Sequence, residues 1–94
     1  MSDDAANDIN AELSNRLAQE RESRGLSKKG LAKLADIDRS TVKFIEDPEE
    51  NPTILNLIRY ALAMKLDVGK LLSEYLEPHL KEEQPKVTKT KKAK

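Results

Sequence analysis

An all-α fold of five short helices is predicted by three observations. Apolar residues recur three or four apart in successive windows: Ile9, Leu13 and Leu17; Leu31, Leu34 and Ala35; Val42 and Ile45; Ile54, Leu57, Ile58, Ala61 and Leu62; Val68, Leu71, Leu72, Tyr75 and Leu76. Only three glycines interrupt the 94 residues, and aromatic residues make up 3%, so leucine, isoleucine, valine and alanine must fill the interior. The breaks between windows are short and carry residues that cap or stop helices. With both ends expected to be disordered, the chain holds one compact domain, residues 8–78, with one small core.

Residues 1–7 are expected to be disordered. The first helix begins at Asn7 or Asp8, either of which can cap it. It stops before Gly25, which suits the left-handed position after a helix, and Leu26 returns to the core. The second helix, Lys28 to Ala35, takes Ser27 as N-cap. Leu31, Leu34 and Ala35 form its buried stripe, and small Ala32 lets a neighbour cross closely. Its first turn is locally poor. Lys28 and Lys29 meet the positive end of the helix dipole, and Gly30 costs up to about 1 kcal/mol against alanine. Two lysines there make sense if a phosphate is held by them and by the free amides; the plain alternative is a solvated surface.

Asp36-Ile37-Asp38 is too short for a loop and has the composition of a turn. Ile37 points inward, and Asp38 caps the third helix by accepting from the amides of Ser40 or Thr41. That helix runs from Arg39 to Asp47. Val42 and Ile45 face in, Arg39, Ser40, Lys43 and Phe44 face out, and Thr41 faces sideways. Asp47 to Pro52 is an acidic loop with two prolines. Thr53 caps a fourth helix to Lys65, and Leu66 continues the core. Asp67 caps a fifth helix to Leu76, and Pro78 ends the helical region. Residues 79–94 form a lysine-rich tail expected to be disordered, with a role in solubility or as an arm that tracks phosphates. The apolar total exceeds what five short helices need, so part of it is expected to form a two-fold contact between copies.

Two helices joined by such a turn cross at a wide angle, and the second can enter a DNA major groove. The stretch Ser27 to Glu46 resembles the Cro/C1-type helix-turn-helix family, also called the XRE family, of phage and bacterial regulators. The likeness rests on Leu17, Arg21, Gly25-Leu26-Ser27, Leu31-Ala32, Ile37, Val42, Ile45-Glu46, Pro52, Leu57 and Leu66, spread over roughly Leu13 to Leu72. It implies a five-helix, lambda-repressor-like domain that binds double-stranded DNA as a homodimer on a palindromic operator, with half-sites about 34 Å apart. It also implies that Arg21 pairs with Glu46, where the plain reading of Arg21 is a solvated side chain.

Base contacts are expected from Arg39, which can bond O6 and N7 of guanine, and from Ser40, Lys43 and Phe44. Phosphate contacts are expected from Ser27, Lys28, Lys29 and Thr41. Phe44 has three readings: packing on thymine methyls, folding under as core, or meeting a protein partner. The family pattern is broken at Gly30 (usually Glu), Asp36 (usually Gly), Phe44 (commonly polar) and Pro48 (usually Gly, often followed by basic residues that touch phosphate).

Several function classes are disfavoured. There is no Cys, and one His, so neither a thiolate site nor a zinc site is expected. No nucleotide-binding glycine motif or nucleophile–base pair is present, so neither enzyme activity, cofactor nor small-molecule ligand is implied. No apolar run nears the roughly 18 residues of a membrane span, and the acidic start lacks a signal-peptide pattern, so a cytoplasmic location is expected. Net charge is zero, unusual for a nucleic-acid binder, but residues 1–24 carry six acidic and three basic side chains while residues 81–94 carry six lysines and two glutamates. Sequence reading thus favours a dimeric repressor. The alternatives are an antitoxin that also binds a toxin protein, since the Pro48–Thr53 run is similar to the corresponding loop of HipB-type antitoxins, and a protein-interaction module on the same scaffold.

Overall fold

The computed structural model describes residues 3–81 of the chain. They form five helices: α1 (Asp3–Ser23), α2 (Lys28–Ala35), α3 (Arg39–Ile45), α4 (Ile54–Met64) and α5 (Val68–Leu80). α2 packs on α3 and α4, α3 also meets α4, and α1 lies along α5. The core between them is built from Leu13 and Leu17 of α1, Leu31 and Ala32 of α2, Val42 and Ile45 of α3, Tyr60 and Met64 of α4, and Leu71 of α5. Leu26, Ile37, Leu57 and Leu66 pack against its edge.

The joints follow from local chemistry. Gly25 closes α1 at φ 69°, a conformation that costs glycine nothing. Ser27 Oγ accepts from the Gly30 amide at 2.9 Å, Thr53 Oγ1 from Asn56 at 3.1 Å, and Asp67 Oδ1 from Lys70 at 3.0 Å. Each satisfies a donor that the first helical turn leaves over. A Cβ added at Gly30 would lie 3.1 Å from Ser27 Oγ, so glycine leaves that cap unobstructed. Asp36 ends α2 in the left-handed region at φ 57° and ψ 47°, donating its amide back to Lys33. Lys65 does the same for α4 at φ 53°.

Five expectations are corrected. α1 starts at Asp3, a turn before Asn7, because Ala5 and Ala6 are strong helix formers and Asp4 sits at the favourable end of the dipole. Leu34 is 63% exposed, outside the stripe expected for it. Asp38 has the extended backbone of an N-cap but makes no side-chain cap bond; its carbonyl alone accepts, from Thr41 and Val42. α3 ends at Ile45, with Glu46 as its cap. α5 runs through Pro78 to Leu80. Proline removes only its own amide, and Lys81 donates past it to Glu77 at 3.2 Å, so the last turn still closes. Of the lysine-rich tail, residues 82–94 lie outside the described residues, as do Met1 and Ser2.

α4 divides its apolar residues. Tyr60, Ala61 and Met64 are buried and Leu57 half-buried, while Ile54, Leu55, Ile58 and Leu62 face outward. Four of the seven large apolar side chains left exposed among the described residues therefore lie on one side of this helix.

Candidate nucleic-acid interface

The Asp36 turn aims α2 and α3 so that the start of one and the outer side of the other border a single recess of about 800 Å³. Ser27, Lys28 and Lys29 line it from the N-terminus of α2. Arg39, Ser40 and Lys43 line it from α3, and Arg21 and Glu22 from α1. Lys28, Lys29, Arg39 and Lys43 are all exposed. Four exposed cations thus surround one exposed carboxylate, Glu22. Such a surface attracts a polyanion even though the chain as a whole is neutral. Six of the eight residues expected to contact DNA meet here. Thr41, half-buried on the side of α3, and Phe44 do not line the recess. Phe44 is 41% exposed, which removes the reading in which it folds under as core.

Behind α3 lies the group that holds it. Arg21 grips Glu46 with two bonds, Nε to Oε2 at 2.7 Å and Nη2 to Oε1 at 3.0 Å, and both side chains are buried. Its third donor, Nη1, reaches the Leu26 carbonyl at 2.8 Å, tying down the chain just before α2. Glu46 also accepts from the Tyr60 hydroxyl at 2.7 Å, and that hydroxyl lies 2.9 Å from the Leu17 carbonyl. The carboxylate of Glu46, the residue that closes α3, is therefore fixed by α1 and α4 together. The hydrogen bond to Glu46 raises the pKa of Arg21 further, against the opposing effect of burial. Tyr60 is pushed far up, chiefly by burial and then by the adjacent carboxylate, so its phenol stays protonated.

Two members of this support were not foreseen as such. Tyr60 sits in an apolar run and reads as filler, although a buried phenol nearly always needs a partner. Asn10 of α1 donates to the Glu50 carbonyl at 2.8 Å and lies 3.5 Å from that of Pro48, clamping the acidic loop that follows α3. Within that loop Asp47 accepts from the Glu49 amide at 2.9 Å. No sequence signal marks a lone Asn on a helix as a loop clamp.

Among the described residues no cluster of His, Cys, Asp or Glu is arranged to hold a metal, and no helix is long and apolar enough to cross a membrane. No curated protein and no solved structure matches the chain. A helix-turn-helix family model does match, over residues 17–71, from the middle of α1 to the first turn of α5 and including every helix of the recess. That match covers more than half of the chain, which belongs to the Cro/C1-type helix-turn-helix (XRE) family.

Proposed function

We propose that the chain is a sequence-specific transcription regulator, a dimeric repressor that reads a palindromic operator through the major groove. The observation that carries this is the recess shared by the N-terminus of α2 and the outer side of α3, ringed by Lys28, Lys29, Arg39 and Lys43. α3 enters the groove with Arg39 leading, placed to fork onto the O6 and N7 atoms of a guanine. Ser40 and Lys43 follow on the same side, and Phe44 packs on thymine methyls. Ser27, Lys28, Lys29 and Thr41 take phosphates, fixing register without choosing sequence. Occluding a promoter is the simplest way for such a domain to regulate, and activation through polymerase contact is equally compatible with these residues.

Selection of duplexes from a random pool tests this. A palindrome should emerge, and Arg39→Ala should lower discrimination by about 1–3 kcal/mol at one base position. Equal, weak binding to all duplexes would sink the reading.

A second reading, an antitoxin that shares this DNA-binding core, is favoured by the exposure of Phe44 beside the acidic loop. It predicts a second protein that co-purifies with the chain and is lost on Phe44→Ala, while Arg39→Ala leaves it bound.

A further inference from the structure

We infer that the groove bordered by α1, α4, α5 and the loop after α3 is a binding site for a small, neutral, apolar molecule with one hydrogen-bonding oxygen, of the phenol or medium-chain alcohol class. The groove holds about 270 Å³. Its floor is Leu13, Ser14 and Leu17 of α1 with Ile45 of α3, all buried. Ala6, Asn51 and Ile54 stand exposed at its rim. It shares no residue with the cationic recess.

Three observations define the occupant. The first is Ser14. It is only 2% exposed, and among the described residues its hydroxyl makes no hydrogen bond. Buried hydroxyls nearly always have a partner, because one without it forfeits the bonds it had in water. Ser14 lies one turn on from Asn10, between Leu13 and Leu17, on the side of α1 that lines the groove. The polar side chain beside it is already engaged: Asn10 gives its amide to the Glu50 and Pro48 carbonyls. The hydroxyl is thus left for something that enters the groove.

The second is charge. None of the twelve residues that line the groove is ionic, although 36% of the chain is. A charged group would be stripped of water here with nothing to pair with, so the occupant is neutral. The same argument sets aside the end of the chain itself, since residues 82–94 carry five lysines and two glutamates. The third is size. An apolar cavity of about 150 Å³ takes up benzene, so this groove suits roughly ten non-hydrogen atoms, a ring with a short alkyl chain and one oxygen.

The position of the groove gives it a consequence. Ile45 ends α3 next to Glu46, and Asn51 follows directly on Glu50, which Asn10 clamps. A molecule that bridges them to α1 favours the arrangement in which α3 is held. This consequence rests on the DNA-binding reading; the site itself does not.

Calorimetric titration of the full chain with para-propylphenol, propylbenzene and para-propylbenzoate tests the site. The phenol should saturate below about 1 mM and bind about tenfold tighter than propylbenzene, which lacks the oxygen, and the benzoate should not bind. Ser14→Ala removes a hydroxyl that the fold does not use. It should keep the circular dichroism and melting temperature of the parent and erase the tenfold preference. Ala6→Trp, at an exposed rim position, should fold as the parent does and bind none of the three. With the phenol saturating, affinity of the parent for a selected operator should rise about fivefold or more.

No saturable binding overturns the inference. So does equal binding of the phenol and propylbenzene by the parent, a preference that survives Ser14→Ala, or binding that survives Ala6→Trp. Binding that emerges only as the chain is diluted means that another copy fills the groove, and overturns it too. An unchanged operator affinity overturns the coupling to α3. If the phenol binds as expected while no duplex is ever preferred, the site stands and the DNA reading falls.

Discussion

At the scale of residues, α3 is held by one buried carboxylate. Glu46 takes two bonds from Arg21 and one from Tyr60. Removing the carboxylate strands a buried guanidinium, so Glu46→Ala is expected to cost about 3–5 kcal/mol in chemical denaturation. Tyr60→Phe deletes a hydrogen bond to a charged group and should cost about 1.5–3 kcal/mol at neutral pH. Its signature is alkaline. The folded pKa of Tyr60 is raised above its unfolded value of about 10, so folding favours the protonated phenol. That stability is whole below about pH 10 and drains as the pH climbs toward the folded value. The parent should therefore lose stability more steeply than Tyr60→Phe between about pH 10 and 12, as read by denaturant midpoints at each pH. Of this group, Arg21 and Glu46 were legible through the family resemblance alone; nothing in their own neighbourhoods marks them as partners. Tyr60 falls within the fourth helix as read from Thr53 to Lys65, but nothing in the sequence named a partner for its hydroxyl.

At the scale of elements, boundaries were legible where side-chain chemistry sets them and illegible where packing does. Ser27, Thr53 and Asp67 cap as their types dictate. The left-handed turn at Asp36 was legible through the family resemblance, which implies a glycine-type position there, and aspartate tolerates that conformation better than most residues. Lys65 adopts the same conformation, and no lysine advertises that. Leu34 shows the limit of a periodicity argument. Viewed down α2 at about 100° per residue, Leu31, Ala35 and Ala32 span an arc of about 100°, and Leu34 falls about 60° outside it. Spacing alone does not say on which side of Leu31 the neighbours stand; α3 and α4 stand on the side of Ala32.

The Asp36 turn makes a prediction of its own. A non-glycine residue in the left-handed region costs roughly 1–2 kcal/mol, offset in part by the greater freedom glycine loses on folding. Asp36→Gly should therefore preserve the fold and raise the melting temperature slightly; a lower value would show that the aspartate side chain contributes something the backbone does not.

At the scale of the whole molecule, a neutral chain presents a cationic recess because its charges are sorted rather than few. Lys28, Lys29, Arg39 and Lys43 gather at one surface, while the carboxylates of Glu20 and Glu46 are taken up by arginines at their sides. Arg24 and Arg16 hold the Glu20 carboxyl below its ordinary range. The net charge, read alone, argued against a nucleic-acid partner; the sorting becomes visible only in three dimensions. If Lys28 and Lys29 meet phosphates, replacing either with alanine should weaken binding to all duplexes alike and reduce the slope of log affinity against log salt by about one. An unchanged slope would return both lysines to the solvated surface. The fold class and most of the recess could be read from helical spacing and turn chemistry. The division of α4 into a buried side and an outer ridge could not, since both sides are equally apolar in sequence.

The junction beneath α3 also orders events during synthesis. Arg21 leaves the ribosome first, then Glu46, and Tyr60 only after the acidic loop and half of α4 have followed. A nascent chain that ends before residue 60 owns both helices of the turn motif but not the phenol that completes their anchor, nor the Met64 and Leu71 walls of the core. Domains of this kind fold as units as they emerge. The proposed DNA surface is thus assembled late, and a prematurely released fragment carries α3 without the means to hold it in place.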